Sequence, residues 1–249
     1  MERFLVCPQK LVRKVTDMPK VAITMFSSEI FEMFVQRFQM EIITFFESAN
    51  GKLPIYKFEY QGIKIALYLS RVGAPACVIQ FEEVVAMGIE RLVMFGSCGA
   101  MNMNIKDGEI VIPTGAYSDE GVGEKYISNL VYIDQPLGSY KILEECAAAL
   151  GYRYMLGKVW TTDGFYRESI EKYVQYKNKG CIAVDMECSA MLAASYALKI
   201  QLVVFLYAAD VLSSDNWFPR SLNKNGRKYQ EKYCNMALHT AVKLSEKNE

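Results

Sequence analysis

The sequence predicts an α/β protein with three layers: a central mixed or mostly parallel β-sheet with helices on both faces. Three observations carry that reading. Short apolar, β-branched runs such as Val21–Met25, Leu92–Phe95 and Gln201–Ala208 read as buried strands. Helical patterns alternate with them; within 75–89, Val78, Phe81, Val84, Val85 and Ile89 share one face behind Pro75, which suits a first helical position. Polar or glycine-rich segments then sit where strands end, the place where ligands bind in such sheets.

The elements follow in order. Residues 1–19, with Phe4, Leu5, Val6, Leu11 and Val12 among charged neighbours, are expected to pack as an N-terminal extension. After Val21–Met25, Ser27-Ser28-Glu29 opens an amphipathic helix through Phe38, with serine as N-cap. Pro54–Tyr60 and Ile63–Ser70 flank Gln61-Gly62 as a β-hairpin. Helix 75–89 leads into strand 92–95, which is expected to end in a tight turn at Gly96-Ser97-Cys98-Gly99. Glu109–Ile112 is a strand stopped by Pro113, and Tyr140–Gly151 an alanine-rich helix closed by glycine. Tyr154–Thr162 is a strand, Glu168–Lys179 a helix, Cys181–Val184 a strand and Ala190–Leu198 a helix. Strand Gln201–Ala208 and a closing helix, Arg227–Lys247, complete about eight strands alternating with helices.

The chain has 249 residues, 51% of them hydrophobic, and no linker, charge block or low-complexity tract, so a single domain over 1–249 is expected. Lysine plus arginine and aspartate plus glutamate both number 28, which points away from nucleic acid or a membrane surface as partner. Charges and Pro8 in the first dozen residues do not form a signal peptide, and no apolar run reaches a span's ~20 residues. Seven scattered cysteines without a CxxC pair read as reduced, mostly buried thiols of a cytoplasmic protein. The lone His239 reads as a packing or surface residue, and no metal is expected.

Strand ends carry three acidic clusters: Asp163, Asp185 with Glu187, and Asp210. Each alone is adequately explained as the N-cap of the next helix. All three beside a Gly/Ser segment are better explained by one shared site, because a core does not tolerate acids without a reason.

The segments Gly73-Ala74-Pro75, Gly96-Ser97-Cys98-Gly99, Asp107-Gly108-Glu109, Asp119-Glu120-Gly121, Thr161–Tyr166, Val184–Ala190 and Tyr207–Asp210 recur here in a specific order and spacing. With them the chain, over roughly 20–245, resembles the nucleoside phosphorylase family: bacterial purine nucleoside and uridine phosphorylases and the related nucleosidases. The resemblance implies cleavage of an N-glycosidic bond through a cation-like sugar, with phosphate as co-substrate, no other cofactor, and a homodimer or a hexamer built as a trimer of dimers. It implies that Met186 and Glu187 hold the ribose, the carboxylate accepting from the 2′- and 3′-hydroxyls. Asp210 corresponds to the acid that protonates purine N7, and Phe165 to the aromatic stacked on the base, beside Cys98 and Gly99.

At the phosphate end the pattern departs. Met25-Phe26-Ser27-Ser28 follows the first strand without the family's glycine and arginine, and Met94 stands where arginine is expected. Ser97, backbone N–H groups from Gly96 onward and a relocated Arg71 remain as phosphate ligands. Glu29 falls near the water-activating glutamate of the methylthioadenosine/adenosylhomocysteine nucleosidases, so hydrolysis stays open; as a bland alternative it favours a helix's first turn. The pyrimidine-reading Gln and Arg of uridine phosphorylases are not matched at Tyr166-Arg167-Glu168-Ser169, and Asp210 favours a purine. A uridine phosphorylase or a binding protein without turnover remain further alternatives. The stretch 212–220, with Trp217, Phe218 and Arg220, reads either as a lid over the base or as a subunit contact.

Overall fold

Strand β1 (Val21–Met25) is buried along its whole length, as a five-residue apolar run in a sheet covered on both faces should be. The computed structural model of the chain describes residues 4–49, 51–222 and 229–246. Helix α1 (Ser28–Arg37) follows, and the Ser27 hydroxyl accepts from the Ile30 N–H, the expected N-cap. β2 (Glu41–Ser48), β3 (Gly51–Tyr60) and β4 (Ile63–Leu69) form an antiparallel meander, with Gln61 and Gly62 both at positive φ in the predicted hairpin turn. Next come α2 (Ala74–Met87), β5 (Arg91–Ala100), β6 (Ile110–Asp119), β7 (Tyr132–Asp134), α3 (Leu137–Ala149) and β8 (Tyr154–Thr162). α4 (Ile170–Asn178), β9 (Cys181–Asp185), α5 (Cys188–Leu198), β10 (Gln201–Leu212), β11 (Trp217–Phe218) and α6 (Gln230–Glu246) finish the described chain.

All strands belong to one mixed sheet. On one face α2 and α5 bury Phe81, Val84, Met191 and Leu192 against it; on the other α1, α3 and α6 bury Phe34, Leu143 and Leu238. The three expected layers are therefore present. The sheet also does something the sequence did not announce. β5 pairs with β9 and β10, β10 with β6, β6 with β8 and β8 with β9, so five strands close on themselves.

Gly96-Ser97-Cys98-Gly99 is not a tight turn. It is the continuation of β5, because β10 runs beside it in parallel and β9 takes up Gly99 and Ala100. The glycines serve close approach instead: a Cβ on Gly96 would lie 2.6 Å from the Phe26 ring. β6 likewise runs through Pro113, with a register shift between Pro113 and Gly115 that absorbs the missing donor. The described residues hold eleven strands against about eight expected, β2, β7 and β11 being additions. The helix expected from Glu168 starts at Ile170, capped by the Ser169 hydroxyl. Arg227, Lys228 and Lys247 of the expected closing helix lie outside the described residues. In the N-terminal extension Val12 and Val15 pack on the core, and the Val15 N–H donates to the Met87 carbonyl, whereas Phe4, Leu5, Val6 and Leu11 are exposed. All seven cysteines are free. Among the described residues no helix is long and apolar enough to cross a membrane.

Candidate active site

β5 changes neighbours partway along, and the cleft opens where it does. Up to Phe95 it pairs with β1; from Gly99 it pairs with β9. Ser97 lies in the gap between those partners and is exposed, although every other residue of β5 is buried. This is a switch in strand order, where an open α/β sheet offers a crevice. The cleft is lined by Ser97, Cys98 and Gly99, by Phe26 and Val72, by Phe165 and Glu168, by Val184 to Glu187, and by Asp210 and Leu222.

Gly99 is the hub. It pairs with Val184 on one side and Asp210 on the other, so it joins the strand leading to Glu187 with the strand carrying Asp210. A bulge in β10 between Ala208 and Asp210 re-aims the latter at the cleft. A Cβ on Gly99 would stand 3.1 Å from the Asp210 carboxylate, 3.0 Å from Val184 and 2.5 Å from Leu212, so glycine is what leaves the acid its room.

Asp210 is buried and accepts from the Trp217 indole N–H at 2.7 Å. Burial raises its pKa, against the Trp217 bond and the charge of Arg220, which lower it. Residues 212–220 are thus no slack loop: β11 folds back antiparallel on the end of β10, and the Arg220 guanidinium donates to the Ile105 carbonyl. Trp217 also meets Phe165 edge to face, with ring centroids 6.4 Å apart.

Glu187 accepts from the Gly73 N–H at 2.6 Å, at the positive end of α2. Burial, and next the negative Asp185, push it up to about 8. Asp185 takes the structural task. It accepts from the N–H groups of Glu187 and Cys188 and from the Thr161 hydroxyl, capping α5 while raised by burial to about 6. Asp163, exposed, holds the Gly121 N–H at 2.9 Å and does not line the cleft. The capping reading therefore holds for Asp185, and Asp163 serves as a tie between loops.

Of the residues singled out from the sequence, Ser97, Cys98, Gly99, Phe165, Met186, Glu187 and Asp210 meet in this one cleft. Gly96 sits just behind it beneath Phe26. Arg71 and Glu29 are not brought in. The Arg71 guanidinium donates to the Ser48 hydroxyl at 3.0 Å while its neighbour Val72 lines the cleft, and Glu29 lies in the first turn of α1, half-buried. Met94 is fully buried among the apolar side chains facing α2 and α5, where a guanidinium would have no counter-charge. Among the described lining residues there are four acids and no cation. Nor does any group of three or more His, Cys, Asp and Glu among the described residues stand ready to hold a metal.

Sequence reasoning missed Phe26, Val72, Glu168, Val184 and Leu222 as cleft residues. Glu168 alone had a signal: an acid three residues beyond Phe165 in a segment otherwise read as helix.

The fold recurs in other proteins. The chain is 30% identical over 149 residues to a purine nucleoside phosphorylase of the DeoD type from Clostridium perfringens, covering 57% of this chain and 63% of that one. It thus spans about three fifths of the length of that relative. A uridine phosphorylase from Vibrio fischeri superposes with a TM-score of 0.79 at 22% identity, covering 94% of this chain and 98% of the other. An AMP nucleosidase from Bacteroides thetaiotaomicron does so with 0.75 at 17%, covering 94% and 92%. One fold thus serves phosphorolysis and hydrolysis, purine and pyrimidine, and does not choose among them. The family described as the Phosphorylase superfamily matches residues 20–240, and the chain belongs to it.

Proposed function

We propose that the protein cleaves the N-glycosidic bond of purine nucleosides with phosphate, giving free base and ribose 1-phosphate, without a metal or further cofactor. The carrying observation is the convergence on Gly99 of the segment bearing Glu187 and the bulged strand bearing Asp210, in one cleft with Phe165. In this reading Glu187, with Met186 beside it, accepts from the ribose hydroxyls, and the acceptor strengthens as the sugar becomes cationic. Asp210, whose hold on a proton burial strengthens, gives that proton to purine N7 as the bond breaks. Phe165 stacks on the base. The Ser97 hydroxyl, with N–H groups of Gly96 to Gly99, takes the phosphate at the break between β1 and β9.

A second reading is hydrolysis. It is favoured by one observation: no arginine or lysine is among the described residues lining the cleft, and guanidinium groups normally give a phosphate site most of its strength. Incubation with inosine, adenosine and uridine, with and without phosphate, separates the readings. Base release that depends on phosphate supports the first, release without phosphate the second, and binding without release would defeat both.

We further propose assembly into dimers or a trimer of dimers, supported by the exposed Ile42 and Phe45 of β2 and by exposed Val72 and Ile79 beside and on α2. A role in purine salvage in the cytoplasm follows from the reaction, and seven free thiols suit a reducing compartment. Light scattering in solution tests the assembly, and a monomer at assay concentration would contradict it.

A further inference from the structure

Glu168 stands between the short 3-10 turn Phe165–Arg167 and the start of α4. Its side chain faces the cleft beside Asp210, Cys98 and Phe165, and also borders an adjoining hollow lined by Tyr173, Ser213, Asn216 and Trp217. The other acids of the cleft all have donors: Asp185 has three, Glu187 has Gly73 and Asp210 has Trp217. Among the described residues, no N–H or O–H is bonded to the Glu168 carboxyl. The capping of α4 does not explain it either, since the Ser169 hydroxyl performs that task. Burial and the neighbouring Asp210 push Glu168 up to about 8, so at neutral pH it keeps a proton and offers a donor and an acceptor together. Half-buried and claimed by no described donor, the carboxyl is left available to a ligand that enters the cleft.

We infer that the Glu168 carboxyl hydrogen-bonds the six-membered-ring edge of the purine and so selects bases that carry polar groups at C6 and N1. The inference rests on the nucleoside-cleaving reading above. If Asp210 faces N7, the next position round the ring is C6, and the carboxyl adjoining Asp210 falls beside C6 and N1. A protonated carboxyl matches that edge at two points, either O6 with N1–H or the 6-amino group with N1. The hollow behind Glu168 leaves space outside this edge.

The test compares kcat and KM for inosine, adenosine and the unsubstituted purine riboside in the wild type, Glu168→Ala and Glu168→Gln. A site built to hydrogen-bond a substrate group discriminates strongly once the pairing is lost. Glu168→Ala should therefore lower kcat/KM roughly tenfold or more for inosine and adenosine, mainly through KM, and change purine riboside by less than about threefold. Glu168→Gln, which keeps a donor and an acceptor, should restore much of the loss. An equal fall for all three substrates would show a structural role and overturn the inference, as would no fall at all. Should the wild type release base from none of them, the nucleoside-cleaving reading fails instead. Equilibrium binding of free hypoxanthine against unsubstituted purine, wild type against Glu168→Ala, then still decides the role of Glu168: loss confined to hypoxanthine upholds it, and any other result ends it.

Discussion

Glu187→Gln preserves side-chain shape and the acceptor for the Gly73 N–H while removing an ionisable group from a site that is 7% exposed. The Glu187 carboxyl is raised from 4.5 to about 8 in the fold, first by burial and then by Asp185. An acid raised on folding still holds its proton at pH values where the unfolded chain has released it. The folded state therefore binds more protons between about 4.5 and about 8, and stability falls as pH rises through that window and levels off above it. The whole shift corresponds to at most about 5 kcal/mol at ~1.4 kcal/mol per pH unit, and sharing the titration with Asp185 leaves about 2–3 kcal/mol. Urea unfolding at pH 5 and pH 8.5 should show the variant gaining that much on the wild type at the higher pH, with little difference at the lower. If Glu187 anchors the sugar, turnover above pH 8, where the wild-type carboxylate presents two charged acceptor oxygens and the amide only one, should fall about 100-fold or more. A stability difference independent of pH would refute the electrostatic account, and full activity would remove Glu187 as the sugar's anchor.

Asp210→Asn should lower kcat with purine nucleosides by about 10²–10⁴, the range of general acid catalysis, and harm a pyrimidine nucleoside much less; equal losses would contradict protonation at N7. Trp217→Phe removes a bond that lowers the Asp210 pKa, so the loss of activity at alkaline pH, where the acid surrenders its proton, should move to higher pH, and an unmoved limb would separate Trp217 from the acid. Gly99→Ala presses on Leu212, Val184 and the Asp210 carboxylate at once. It should cost about 1–3 kcal/mol in unfolding free energy and about 100-fold in kcat, and a variant with native kcat would show that the close approach does not set the acid's position.

How far the sequence could be read depended on what each residue's signal was made of. Strands such as Tyr154–Thr162 and the Ser27 cap were legible because burial, period and capping act over a few neighbouring residues. Glu187 and Asp210 were legible as acids at strand ends that no core would choose. Gly96–Gly99 was misread because glycine licenses close approach as readily as a turn, and only the distant strands β9 and β10 decide between them. The closing of five strands on one another was hidden for the same reason: pairing of β5 with β9 is set between residues some 85 apart in the chain, and no local pattern encodes it. Arg71 looked like a relocated phosphate ligand from its place in a turn, and its side chain turns instead to Ser48.

The charge balance of the cleft yields the last prediction. Asp185, Glu187, Glu168 and Asp210 line it with no cation among the described lining residues, and burial raises all four. Below about 8, Glu187 and Glu168 hold protons and add no charge to the cleft; above that each adds a negative one. A phosphate anion is repelled by that charge, whereas water is not. If phosphate is the nucleophile, its KM should rise between pH 6 and pH 8.5, and rise less in Glu168→Gln, which stays neutral throughout. Since phosphate's own second ionisation occurs identically with both proteins, the difference between them isolates the carboxyl. A phosphate KM that falls with pH, or a rise of equal size in the variant, would mean that the anion never meets these acids and that the nucleophile must be sought on another side of the sugar.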